Sequence, residues 1–189
     1  MKNILEEIAA RTRERIAKEK SRISVSELEN RIQEVNKNAR QKITFLQALQ
    51  KDGMSYICEV KKASPSKGLI APDFPYLAIA KEYEQAGASA ISCLTEPFYF
   101  QGADQYLREI AAAVQIPVLR KDFTVDEYMI YQAKSLGASA VLLICAILDD
   151  GELRAYRQLA KELGLDCLLY TPDAADDLIG VDLGGRRII

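Results

Sequence analysis

Residues 116–127 read IPVLRKDFTVDE, and their pattern indicates the fold class of the chain. Its apolar first half is typical of a short buried strand, which ends in three charged residues at 120–122. Hydroxyl and acidic side chains follow at 124–127, where the N-terminal end of a helix would place them. The stretch therefore predicts a strand that runs directly into a helix.

The same unit recurs along the chain. Strands are predicted at Tyr56–Val60, Ala90–Leu94, Pro117–Arg120, Ala140–Ile144 and Asp166–Leu169. Helices are predicted between them at Tyr76–Ala86, Ala103–Val114, Asp126–Leu136 and Asp150–Leu163. Gly87, Gly137 and Gly164 follow three of these helices and suit the left-handed turn into the next strand. A unit repeated every 25 to 30 residues or so predicts a parallel sheet, either open or closed into a barrel.

Residues 58–68, which read CEVKKASPSKG, repeat the pattern of a strand that ends in charge. Glu59 and Lys61 are two residues apart, so a strand would point both side chains to one side. Functional groups of parallel α/β folds gather at the C-terminal ends of the strands, so Lys61 and Lys121 should share one rim. The polar residues at 64–68 predict a loop that closes over an anionic ligand. The alternative is a salt-bridged strand end followed by an ordinary surface turn.

The first ~50 residues lie outside the repeat and are read as a helical extension, residues 1–50. The spacing of the apolar residues at 4, 5, 8 and 16 predicts an amphipathic helix that packs on the barrel by its apolar side. Further helices are predicted at Ser26–Asn38 and Thr44–Lys51. Because the charge here is mixed in sign, a solvated face is expected and nucleic-acid binding is not.

The composition is that of a globular domain, with 49% hydrophobic residues, 28% charged residues and a net charge of −2. No long apolar run or secretory leader pattern is present, which predicts a cytoplasmic protein without membrane contact. The four cysteines lack CxxC spacing and are expected to be core residues, with a catalytic or metal-binding thiol as the alternative. The chain has no histidine, which leaves glutamate and lysine to transfer protons.

Three motifs, in order, closely resemble those of the indole-3-glycerol-phosphate synthase family. They are Glu59–Gly68, Leu94–Glu96 with Tyr99–Gly102, and Leu119–Phe123. The resemblance covers about residues 1–169. It implies a TIM-type (β/α)₈ barrel and a lyase of tryptophan biosynthesis, a decarboxylase that closes the indole ring of 1-(2-carboxyphenylamino)-1-deoxyribulose 5-phosphate with loss of CO₂ and water. It also implies that neither a metal nor an organic cofactor is used.

The resemblance assigns roles to individual residues. It implies that Lys121 is the general acid, that Glu59 is the second acid–base group and that Lys61 binds the substrate's carboxylate. At a partly desolvated barrel opening, the two lysines and the carboxylate would shift one another's pKa values. The lysines would also offset the negative charge of a carboxylated, phosphorylated substrate. The residues expected to bind substrate are Ser64, Phe100, Phe123 and Leu142. For the aromatic residues, plain core packing is the alternative.

The sequence departs from the family pattern near its end. Tyr170 stands where the family has a glutamate after the fifth strand, and the family's later phosphate-binding loops have no counterpart. We therefore expect about five βα units, with a partial catalytic domain at 51–169, an atypical, foreign tail at 170–189 and weak or absent activity. The alternative for the tail is that residues 178–181 form a sixth strand.

Two other functions stay open at this point. A phosphoribosyl-type barrel isomerase would rely on carboxylate and cysteine catalysis instead of Lys121, and a non-catalytic barrel fragment would act as a self-association module. A homo-oligomer is expected, because the first and fifth strands would be the free edges of an open sheet. The exposed inner face of that sheet is expected to carry Ile57, Ile91, Leu119, Leu142 and their neighbours, according to register, and to be large enough to drive association.

Overall fold

The computed structural model describes residues 4–38 and 43–171, and its centre is a five-stranded parallel sheet. The strands are β1 (Ile57–Val60), β2 (Ala63–Ser64), β3 (Gly68–Leu69), β4 (Ala90–Leu94), β5 (Val118–Lys121), β6 (Ala140–Ile144) and β7 (Asp166–Tyr170). The order in the sheet is β1-β4-β5-β6-β7, and all neighbours are parallel. Strands β2 and β3 form a separate antiparallel hairpin.

The helices are α1 (Ile4–Lys20), α2 (Val25–Asn38), α3 (Phe45–Leu49), α4 (Tyr76–Gln85), α5 (Asp104–Ala113), α6 (Glu127–Ser135) and α7 (Asp150–Glu162). One helix from α4 to α7 joins each pair of neighbouring sheet strands. Each strand therefore lies beside the next one along the chain, which is the order of a singly wound barrel and not of a doubly wound sheet. Within the described residues this sheet is open, and β1 and β7 are its edges.

The predicted boundaries agree with these elements to within about two residues, the usual uncertainty at helix and strand ends. The glycines that follow α4, α6 and α7 have φ angles of 91°, 86° and 68°. These are left-handed conformations that glycine adopts without the steric cost of a Cβ atom. The predicted ends of these three helices are therefore confirmed.

The main core lies between the sheet and helices α4 to α7. Ile91, Cys93, Val118, Val141 and Leu143 point from the strands into this layer and are at most 1% exposed. Ile91 was expected on the opposite face, and that prediction is wrong. Because side chains alternate along a strand, the buried neighbours of Ile91 point away from the helices instead.

The other face of the sheet, here called the inner face, has its own apolar layers. Ala90, Leu119 and Ala140 line it near the starts of the strands, where Phe45 of α3 covers them. The amide of Leu46 donates to the Asp166 carboxylate over 2.8 Å and attaches α3 to the start of β7. Helix α3 therefore closes the end of the inner face that lies away from the charged rim.

Helix α1 packs by its apolar side, as predicted. Ile8 joins the inner-face cluster, whereas Ala9 and Ile16 pack near α6. All three side chains are 1% exposed. None of the helices in the described ranges is long and apolar enough to cross a membrane. Association of copies through β1 and β7 stays a prediction, and the predicted sixth strand at 178–181 lies outside the described residues.

Candidate active site

Three predicted residues meet at the C-terminal rim of the sheet. The Lys61 Nζ atom lies 2.5 Å from one carboxylate oxygen of Glu59, and the Lys121 Nζ atom lies 3.0 Å from the other. The three side chains are only 30% to 34% exposed. A carboxylate is thus held between two ammonium groups in a partly dry position.

The strand register explains this meeting. Glu59 pairs with Ser92 on β4, and Leu94, two residues further along β4, pairs with Lys121 on β5. Paired residues of neighbouring strands point to the same face, as do residues two apart on one strand. Glu59 and Lys121 therefore both point to the inner face, and Lys61, just beyond the end of β1, continues the alternation.

The two lysines control the charge of Glu59. Partial burial raises the pKa of its carboxyl, but the hydrogen bonds and charges of Lys61 and Lys121 outweigh burial and hold the pKa below its usual value. Glu59 is therefore ionised at neutral pH and can accept a proton. The ammonium groups beside it can donate protons and bind anions.

An apolar wall adjoins this charged group. Phe123 and Leu142 are 8% and 5% exposed and share one cluster with Ile144 and Ile8, with Phe100 packed against it. The rings of Phe100 and Phe123 have centroids 6.4 Å apart and are tilted by 38°. Aromatic surface beside cationic groups suits a ligand that combines a flat ring with negative charge.

Ser64 lies in the hairpin of β2 and β3, at the place where the sequence predicts a loop. The Ser64 hydroxyl accepts a hydrogen bond from the Lys67 amide over 3.2 Å, and Ser64 is 9% exposed. The Ala63 amide donates to the Phe100 carbonyl over 3.2 Å. The hairpin is thereby attached to the segment that carries Phe100. Among the hydrogen bonds and ion pairs of the described residues, none joins the Ser64 hydroxyl to Glu59, Lys61 or Lys121.

Glu96 belongs to one of the three family-like motifs, but the sequence predicts no role for it. Its carboxylate accepts from the backbone amides of Phe98, Tyr99 and Phe100 over 2.7 to 3.0 Å, and Glu96 is 1% exposed. The loop that follows Glu96 passes close to β4 at Gly102, where an added Cβ atom would lie 2.5 Å from the Leu94 carbonyl oxygen. Glu96 thus fixes the loop that presents Phe100. The sequence signal that could have identified this role is an acidic residue shortly before three consecutive aromatic residues.

Asp122 also had no predicted role, and it is completely buried next to Lys121. Complete burial raises the pKa of its carboxyl, but the charges of Arg15 and Arg120, with hydrogen bonds from Arg15 and Thr95, outweigh burial and lower it. The alternation of Arg120, Lys121 and Asp122 could have shown that the two outer residues point away from the central lysine. Their buried partners are distant in sequence, so no local pattern identifies them.

The cysteines are only partly the core residues that were predicted. Cys93 and Cys167 are buried, and burial raises the pKa of their thiols to about 12 and about 11. Such thiols are poor nucleophiles, because the reactive form is the thiolate. Cys58 and Cys145 are half-buried.

Tyr170 is the last residue of β7 and pairs with Ile144. Its register places it on the inner face, on the side to which Leu168 points. Tyr170 is 41% exposed. Tyr170, where the family resemblance would place a glutamate, therefore ends its strand at the same rim as Lys121.

Comparisons with known proteins show which family the chain is similar to. A family model described as Indole-3-glycerol phosphate synthase matches residues 5–188. A protein of that name from Ruminiclostridium cellulolyticum is 48% identical over 186 residues, which cover 98% of this chain and 70% of the relative. One from Lacticaseibacillus paracasei is 49% identical over 185 residues, with the same coverage of 98% and 70%.

A third relative of the same name, from Thermoanaerobacter pseudethanolicus, is 44% identical over 181 residues, which cover 96% of this chain and 67% of the relative. The family match includes most of residues 170–189, so it gives no support to a foreign origin of that segment. None of these three relatives carries the name of an isomerase.

Proposed function

Because the chain belongs to the indole-3-glycerol phosphate synthase family, whose fold is the TIM barrel, we propose that it closes the indole ring of 1-(2-carboxyphenylamino)-1-deoxyribulose 5-phosphate. The products are indole-3-glycerol phosphate, CO₂ and water. The observation that carries the proposal is the Glu59 carboxylate held between the ammonium groups of Lys61 and Lys121 at the strand ends. We assign residues 51–169 to the catalytic part and residues 1–50 to an extension that packs on it.

The chemistry needs both an acid and a base. A bond forms between the ring carbon that carries the carboxylate and the ketone carbon, and the carboxylate leaves as CO₂. The ketone oxygen leaves as water after it gains two protons. One of these is released by the carbon beside the former ketone, and the other comes from solvent, because the departing CO₂ takes no proton with it.

The geometry supports a division of this work among three side chains. Lys121, which ends β5, donates a proton to the ketone oxygen as the ring closes. Glu59, which is kept ionised by its neighbours, accepts the proton released during loss of water. Lys61 binds the substrate's carboxylate, and the net positive charge of the three groups favours an anionic substrate.

The apolar residues take the aromatic half of the substrate. Phe100 and Phe123 lie tilted to one another beside Leu142, and together they offer a surface for a benzoate ring. Ser64 contacts substrate from the hairpin that Ala63 attaches to Phe100. No cofactor is required, since every proton can move through the lysine and glutamate side chains.

The test is product formation from the synthetic substrate, followed by the fluorescence of the indole product. Lys121→Ala should lower kcat by about 10² or more, the scale of lost general-acid catalysis. Lys81→Ala, on the exposed surface of α4, is the matched control and should keep the parent's rate. Turnover of Lys121→Ala within a few-fold of the parent would refute the role of this lysine.

A further inference from the structure

We propose that Arg15, on the N-terminal helix α1, is a positioning residue that holds Lys121 against Glu59, and that it acts through Asp122. The inference rests on the proposed function, because Lys121 is the acid of that reaction. Arg15 is 107 residues away from Asp122 in sequence, yet its Nη2 atom donates to an Asp122 carboxylate oxygen over 2.9 Å.

Asp122 anchors one side of Lys121. Its side chain is 0% exposed and accepts from Arg15, from the Thr95 hydroxyl over 2.8 Å and from the Phe123 amide over 2.8 Å. A buried carboxylate with so many donors has little freedom to move. The backbone that follows Lys121 is fixed by the same contacts.

Arg120 anchors the other side. It is 2% exposed and donates to the Thr95 hydroxyl over 3.1 Å, to the Met129 carbonyl over 3.0 Å and to the Asp104 carboxylate over 3.0 Å. Both chain neighbours of Lys121 therefore point away from the inner face and are held in buried contacts.

Thr95 connects these anchors to the lysine itself. Its hydroxyl donates to Asp122 and accepts from Arg120, and its backbone amide donates to the Lys121 carbonyl over 3.1 Å. A shift of the Asp122 carboxylate therefore reaches Lys121 by two routes, through the peptide bond and through Thr95. The ammonium group of Lys121 pairs with the Glu59 carboxylate over 3.0 Å, and its place against that carboxylate depends on the position of its backbone.

Arg15 is the member of this network that comes from outside the βα units. The Asp122 carboxylate lies 2.9 Å from Arg15 and 3.5 Å from Arg120, so Arg15 is the nearer cation. Its loss leaves the carboxylate to move toward Arg120. Displacement of a reacting group by about 1 Å can cost 10²-fold in rate, so a small shift is enough.

A merely structural ion pair between α1 and the barrel is the competing explanation. The chain offers a matched control for it, because Lys20, also on α1, pairs with Asp126 at the start of α6 over 2.6 Å. Both pairs fasten the same helix to the same loop, but only the Arg15 pair reaches a neighbour of Lys121.

The experiment compares Arg15→Met, Arg15→Lys and Lys20→Met in the full chain. We expect Arg15→Met to lower kcat about 10-fold to 10²-fold with little change in KM. Arg15→Lys should retain most of the parent's kcat, and Lys20→Met should have the kcat of the parent. In a Lys121→Ala background, Arg15→Met should have no further effect, since both changes remove the same interaction.

A second readout needs no turnover. NMR titration of the ¹³C-labelled Glu59 carboxyl group, which Lys61 and Lys121 face, reports how near the Lys121 ammonium lies. Arg15→Met should raise the pKa of Glu59, and Lys20→Met should leave that pKa unchanged. If Arg15→Met does not fold, Arg15→Lys carries the same test, with a smaller rise expected from its looser hold on Asp122.

An unchanged Glu59 titration in the Arg15 variants would overturn the proposal, as would equal losses of kcat in Arg15→Met and Lys20→Met. The proposal would also be overturned if Arg15→Met lowered kcat in the Lys121→Ala background by the same factor as in the parent. Parental turnover of Lys121→Ala would refute the catalytic role of this lysine, and absence of indole product from the parent chain would refute the proposed function. In both cases the NMR titration would still decide whether Arg15 positions Lys121.

Discussion

The Nζ atom of Lys121 lies 3.0 Å from a carboxylate oxygen of Glu59, although 62 residues of chain and the whole of β4 separate the two. Lys61 occupies the other oxygen of the same carboxylate. The group keeps a net positive charge when all three side chains are ionised. An anionic substrate can therefore bind to these three side chains without a change in their protonation.

The role of Lys61 predicts an effect on binding more than on chemistry. Lys61→Ala should raise KM by about tenfold and lower kcat less, because the lost interaction is made to the substrate's carboxylate before any bond changes. Steady-state kinetics with the synthetic substrate measures both constants. The neighbouring Lys62→Ala is the control, since side chains of adjacent strand-end residues point to opposite sides. A loss confined to kcat would contradict the binding role.

The lowered pKa of Glu59 predicts a pH dependence of stability. Because the folded pKa lies below the unfolded value of about 4.3, the contribution of Glu59 is fully present above that value. The contribution is lost as the pH falls through the folded pKa. Urea unfolding of the parent and of Glu59→Gln between pH 3 and about pH 7 measures it.

The difference in unfolding free energy between parent and Glu59→Gln should shrink toward acid pH. Glu82→Gln, an exposed change on α4, serves as the control. A difference that stays constant with pH would mean that the lysines do not stabilise the ionised form of Glu59.

The buried Asp122 predicts a large loss of stability. Asp122→Asn should lower the unfolding free energy by about 3–5 kcal/mol, because it leaves the guanidinium groups of Arg15 and Arg120 without their buried counter-charge. Chemical denaturation at neutral pH measures the loss, and Asp52→Asn in an exposed bend is the control. A change below about 1 kcal/mol would show that Asp122 is not an important counter-ion.

We expect a substitution at Tyr170 to increase the rate of turnover. Tyr170→Glu restores a carboxylate at the end of β7, where the family resemblance places one, and should raise turnover by at least about tenfold. Tyr170→Gln has the same size without the charge and should give no such gain. Equal rates for the two variants would indicate that a carboxylate at this position adds nothing to the chemistry.

Much of the fold could be predicted from local patterns. The apolar runs of β4 and β6 and the glycines after α4, α6 and α7 predict their own elements, because burial and left-handed turns restrict which residues are tolerated. The hairpin of β2 and β3 was missed, since two-residue strands carry no periodicity.

The site could be predicted only in part. The meeting of Glu59, Lys61 and Lys121 could be predicted because charged residues at strand ends lie on one rim, and their catalytic roles stay a prediction. Glu96 and Asp122 were not assigned roles, because their importance comes from burial and from partners on other elements. Ile91 was placed on the wrong face, since a strand that is apolar throughout does not show which of its two sides faces the helices.

The order of the βα units, the family resemblance and the identity of the charged residues at the strand ends can be read from the amino-acid sequence alone. Those features depend on local propensity and on motifs, which a linear chain displays directly. The folded structure was needed to show that one carboxylate lies between two lysines, and that Arg15 contacts the buried neighbour of Lys121. Contacts of this kind depend on strand register and on helix docking, which bring together residues that are 62 and 107 positions apart.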